Sequence, residues 1–96
     1  MMILTEVSAT VEPDRVPELL EGFRKLAHEP RPDGLLQSRL LQQDDTHWRI
    51  QTLWRDRAAL DTMRTGPKPP AAPALLAAVG GSPTLTILTV HEELHD

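Results

Sequence analysis

The chain has 96 residues, with 10 Lys and Arg against 14 Asp and Glu, so its net charge is −4. It therefore lacks the basic surface that phosphate recognition needs, and no nucleic-acid partner is expected. The absence of Cys excludes disulfides, a thiolate nucleophile and zinc–thiolate sites. No apolar run approaches the length of a membrane span, and the opening MMILTEVSATVEPDR lacks the basic start of a signal peptide. A cytoplasmic protein with no membrane partner is the expectation.

In chain order, Ile3, Thr5, Val7, Ala9 and Val11 alternate with Leu4, Glu6, Ser8 and Thr10, which predicts a strand over residues 2 to 11. Pro13 and Asp14 break it. From Asp14 to His28 the residues Val16, Leu19, Leu20, Phe23 and Leu26 fall on one helical face, and Pro17 fits in the first turn. HEPRPDG, residues 28 to 34, reads as a loop. Leu35 to Gln43 predicts a second strand, turned by Asp44-Asp45-Thr46 into a third. That third strand sets Trp48, Ile50, Thr52 and Trp54 on one face and Arg49, Gln51, Leu53 and Arg55 on the other. Asp56 can cap a helix in which Ala59, Leu60 and Met63 recur at helical spacing. GPKPP stops it, a short helix over Ala72 to Val79 ends at Gly80-Gly81, and Thr84 to Glu92 predicts the last strand, with Leu85, Ile87 and Thr89 facing opposite to Leu88 and Val90.

The order β-α-β-β-α-(α)-β is that of an α+β, ferredoxin-like fold with a four-stranded antiparallel sheet, in one domain spanning 1–96. A chain this short buries only about 60–65% of its unfolded surface, which favours self-association. All four strands carry apolar residues on both faces, whereas helices cover only one face of such a sheet. A homodimer with sheets packed face to face is therefore expected, with Leu4, Leu35, Leu41 and Leu53 as candidate interface residues.

The segment WRIQTLWRDRAALDTM, residues 48 to 63, is a strand ending in Trp, a short polar cap and an Ala-Leu helix. It resembles the third strand and following helix of antibiotic-biosynthesis-monooxygenase domains, and Pro32-Asp33-Gly34 resembles the turn that opens their second strand. The resemblance implies a dimeric α/β barrel whose pocket, between helices and sheet, takes flat aromatic molecules. Some such proteins oxidise anthrones or dihydroquinones with O2 and no metal or flavin, and others degrade haem. The haem-degrading branch uses an Asn on the first strand, a Trp on the helix after the third and a downstream axial His; the matching positions here hold Val7, Met63 and about Pro73. Haem degradation is therefore not expected, and no cofactor is.

The resemblance thus implies a cofactor-free monooxygenase acting on a phenolic, quinol-type or polyketide-like aromatic with O2. An isomerase or cyclase of the same fold and a non-catalytic binding dimer are the alternatives. The expected pocket is walled by Val7, Phe23, Trp48, Thr52 and Met63. Trp54 is a candidate catalytic donor through its indole N–H, or else a core residue. His91, on an apolar strand face, is a candidate base because imidazole titrates near working pH; a surface strand-end His is the plainer role. Glu6, on a central strand, is a second candidate base, unless Arg49 simply pairs with it across the strands. Arg39 and Arg49 could each face a phenolate or form a surface ion pair. His28 and His47 read as solvated, and His91, Glu92, Glu93 and His95 carry only a weak metal-ligand pattern.

Overall fold

Alternating branched side chains make β1 (Ile3–Thr10) the centre of the sheet, and the computed structural model, which describes residues 1–95, pairs it on both edges. A 3-10 turn at Pro13–Arg15 leads into α1 (Val16–His28), and β2 (Leu35–Gln42) and β3 (His47–Trp54) form the hairpin. α2 (Arg57–Arg64), α3 (Ala71–Ala78) and β4 (Thr84–Thr89) complete the chain. The strand order is β2-β3-β1-β4, all antiparallel, so the predicted α+β ferredoxin-like architecture is the one observed.

Local chemistry explains the boundaries. The Asp56 carboxylate accepts from the Ala59 backbone N–H at 2.8 Å, capping α2, and this bond holds the carboxyl below its ordinary range. In the hairpin turn Asp44 Oδ1 accepts from the N–H groups of Thr46 and His47 at 3.0 and 2.9 Å, with the His47 imidazole 2.8 Å away. α3 stops at a left-handed Gly80, φ 86°.

Directly paired residues on antiparallel strands share a face. The register therefore puts Ile3, Thr5, Val7 and Ala9 with Trp48, Ile50, Thr52 and Trp54 on the face beneath the helices, and all eight are buried. The core divides into two clusters. One gathers Val7, Ala9, Val11, Leu19, Trp48, Ile50, Leu76 and Val79; the other gathers Ile3, Trp54, Ala59 and Leu60.

Three expectations need correction. β4 ends at Thr89, not Glu92, because Thr89 already pairs with Ile3 at the start of β1, and only one more bond, from the Val90 N–H to the Met2 carbonyl at 3.0 Å, extends the ladder. Leu35 faces the helices, not the outer face. A bulge between Leu35 and Gln37 inserts Leu36 as an extra residue, which shifts the alternation of β2 and packs Leu35 on the Trp54 cluster. The outer face is also not apolar throughout. Leu4 aligns with Leu53 and Leu88 in a cross-strand row, but Glu6, Arg49, Gln51 and Thr86 form a polar centre beside it.

Candidate active site: a cavity over a row of hydroxyls

Between the helix-facing side of the sheet, the C-terminal half of α1, α2 and the proline-rich segment 66–73 lies a cavity of about 800 Å³. Its position follows from the split core. The Trp48 cluster fills one end of the helix–sheet layer and the Trp54 cluster the other, while the 66–73 segment spans the open side. Pro67, Pro69, Pro70 and Pro73 fix the backbone of that segment, so the rim is stiff by composition.

The cavity floor is one cross-strand row. Ser38 of β2 pairs with Thr52 of β3, which pairs with Thr5 of β1, so three hydroxyls lie side by side across the sheet. Their hydrogen bonds form a short network. The Trp54 indole N–H donates to Thr5 Oγ1 at 3.1 Å, and the Thr5 hydroxyl donates to the Thr52 carbonyl at 3.4 Å. Ser38 Oγ and Thr52 Oγ1 are 3.0 Å apart. Two hydroxyls joined by one bond leave one O–H free to turn toward a ligand oxygen. Val7, Phe23, Ile50, Leu60 and Met63 make the surrounding wall apolar. The ionisable side chains that line the cavity, Glu29, Arg31, Arg64 and Lys68, are all exposed, at its mouth.

The structure brings together five of the eight residues singled out from the sequence. Val7, Phe23, Thr52, Trp54 and Met63 all line the cavity. Trp54 is also buried and its indole N–H is engaged by Thr5, so within this structure it positions a hydroxyl and presents a ring face.

Trp48, Glu6 and His91 lie elsewhere. Trp48 is 5% exposed and packed in the first core cluster, because Gln42 and Ala9, its cross-strand neighbours, sit at the far end of the sheet from the cavity. Its indole nitrogen has no hydrogen-bond partner among the described residues. Glu6 projects from the outer face, where it accepts from Arg49 Nη1 at 3.0 Å and Gln51 Nε2 at 2.9 Å. This is the cross-strand pairing expected as its plainer role. His91 lies beyond β4, exposed and away from the cavity, since the strand that was to carry it ends two residues earlier. His95 contacts Glu93 at 2.9 Å in an exposed pair, and among the described residues no three His, Cys, Asp or Glu side chains gather as a metal-holding group.

Sequence reading missed Thr5 and Ser38. Thr5 was within reach, since it alternates with Ile3 and Val7 on the inward face. Ser38 was too, since it alternates with Leu40 opposite Leu41 and lies beyond the bulge; what the sequence does not show is the cavity above the two hydroxyls.

Comparison with known proteins adds to this geometry. The chain superposes on a protein of Deinococcus radiodurans with a TM-score of 0.77 at 15% identity, covering 98% of this chain and 97% of that one. It superposes on a point mutant of SnoaB, a cofactor-independent oxygenase from Streptomyces nogalater, with a TM-score of 0.76 at 23% identity, covering 99% and 98%. A structure from Caulobacter crescentus gives 0.75 at 22% identity, covering 95% and 91%. At these identities the likeness is one of fold. No curated protein matches the sequence at a significant level. No helix among the described residues is long and apolar enough to cross a membrane. The family model for antibiotic biosynthesis monooxygenases matches residues 2–72, the stretch that builds β1 through α2 and the hydroxyl row, and the chain belongs to that family.

Proposed function

We propose that this protein is a cofactor-independent monooxygenase that oxidises a phenolic, quinol-type or polyketide-like aromatic with O2 in the cavity between sheet and helices. The observation that carries the reading is an apolar cavity, about 800 Å³ in volume, whose floor offers a row of hydroxyls. A flat ring fills the space against Phe23, Met63 and the sheet. The spare O–H of the Ser38–Thr52 pair donates to the oxygen on which negative charge develops.

The chemistry is balanced by the substrate itself. For an anthrone-type ring, a proton leaves the acidic methylene carbon and the resulting anion passes one electron to O2. The carbon radical and superoxide combine, and the peroxide loses water. One oxygen atom becomes the new carbonyl, the other departs in water, and all four electrons come from the substrate carbon. The protein's part is to hold the ring, stabilise the anion by a hydrogen bond and keep bulk water from the radical pair. Among the described residues no ionisable side chain lines the inner wall, so the substrate must be acidic enough to ionise with the help of a hydroxyl donor alone. The same feature favours a second reading, a binding protein without turnover.

Oxygen uptake by chelator-treated protein with anthrones and dihydroquinones tests the choice. Uptake above a no-protein blank supports the oxygenase. Tight binding without uptake sinks it and leaves the binding reading. We further propose a homodimer through the outer sheet face, supported by the Leu4–Leu53–Leu88 row, in which Leu88 is 46% exposed in the single chain. A monomer at micromolar concentration in sedimentation would count against it.

A further inference from the structure

In an acidic protein this apolar cavity has a cationic mouth. Arg31 comes from the loop between α1 and β2, Arg64 from the last position of α2, and Lys68 from the proline-rich segment that follows. Arg31 lies more than thirty residues before Arg64 and Lys68 in the sequence, and the fold sets all three on the border of the same opening. A single carboxylate, Glu29, shares that mouth with three cations, against a net charge of −4 for the whole chain. Elsewhere the cations are mostly consumed: Arg15, Arg49, Arg55 and Arg57 each bind a carboxylate at 3.4 Å or less. Arg31, Arg64 and Lys68 have no ion-pair partner among the described residues.

We infer that the mouth is an anion subsite, and that the aromatic ligand carries a carboxylate at the end facing Arg31, Arg64 and Lys68. This rests on the proposed reading of the cavity as an aromatic-binding site. The two zones divide the ligand by polarity. An apolar wall with neutral hydroxyls suits an uncharged ring and its phenolic oxygen, while a buried carboxylate there would go unpaired at heavy cost. At the mouth a carboxylate keeps part of its hydration and meets guanidinium donors of matching geometry. Glu29 leaves a surplus of two positive charges, suited to a monoanion. The orientation follows: the carboxylate stays at the rim, and the far end of the ring system reaches the Ser38–Thr52 pair.

Anthraquinone-2-carboxylate and its neutral 2-carboxamide are matched probes, read by quenching of tryptophan fluorescence. At roughly 20 mM salt the carboxylate should bind about tenfold more tightly, and the preference should shrink at roughly 0.5 M salt. R31Q/R64Q/K68Q should abolish the preference and leave carboxamide binding unchanged. E29Q should tighten carboxylate binding alone, an effect that damage to the fold would not produce, so it decides the matter even if the triple variant folds poorly. Equal binding of the two probes, or a preference that survives in the triple variant, overturns the anion subsite while the aromatic cavity stands. Binding of neither probe overturns both.

Discussion

Trp48 separates the stability of this protein from its chemistry, and two substitutions measure how fully. The indole is 5% exposed and surrounded by Val7, Val11, Leu19 and Leu76, so W48A deletes one of the largest side chains of the first core cluster. The expected loss is about 3–5 kcal/mol, cavity term included. A domain of this size holds roughly 5–14 kcal/mol in total, so the loss is a large fraction of it. With a urea slope of about 1.5 kcal/mol per molar, the midpoint should fall by about 2–3 M in a far-UV circular dichroism titration at fixed protein concentration. W48F should behave differently. It keeps most of the packing and removes an indole N–H that has no partner among the described residues, a group whose burial costs about 1–3 kcal/mol. The lost ring area and the relieved donor oppose each other, and the net change should stay within about 1.5 kcal/mol. Neither variant should alter the affinity of a bound anthraquinone more than about twofold, provided W48A is assayed well below its own midpoint, because Trp48 does not line the cavity. A W48A protein of near wild-type stability but weakened ligand binding would refute this, as would a W48F variant as unstable as W48A.

At Gly34, φ is 84° and an added Cβ would collide with that of Ala59, so G34A should cost about 2–3 kcal/mol in the same titration, where an ordinary loop Gly→Ala change would be near neutral. S38A/T52V removes both hydroxyls of the pair, and so its spare donor, and should lower oxygen uptake with an anthrone at least about tenfold; uptake equal to wild type would show that the pair takes no part. The hydrogen bond to His47, joined by the N–H groups of Thr46 and His47, lowers the Asp44 carboxyl from 3.8 to about 2. A carboxyl depressed in the folded state contributes stability above pH 4 that is lost as pH falls from 4 toward 2, so D44N should flatten thermal melts across that window and leave them parallel to wild type above it.

The sequence was legible wherever one residue's neighbours follow from a single period. The inward face of β3, the amphipathic stripe of α1 and the Asp56 cap are all local, and each is observed in place. What failed was non-local. The bulge at Leu36 reverses the alternation of β2 upstream of Gln37 and so misassigns Leu35; nothing in LLQSRLLQ marks it. The end of β4 depends on where β1 begins, at the opposite end of the sequence, and His91 was misplaced for that reason. Trp48 and Trp54 share a strand face, and no pattern in the sequence says that the cavity borders Trp54 and not Trp48. The rim cations read as scattered along the chain because the cavity they border exists only in the folded form.

The division of the core into two clusters has a consequence for how the protein meets its ligand. The space between them is a layer of packing that the chain leaves unfinished, and a flat molecule lying there would touch side chains from both halves at once. The ligand would then act as a structural part, joining regions that otherwise share only the sheet. Folding and occupancy become linked, so any molecule that fits should raise the unfolding temperature in proportion to how well it bridges the gap. A thermal-shift survey of planar acids would thus search for the natural ligand by asking which compound completes the interior, with no assumption about the reaction that follows.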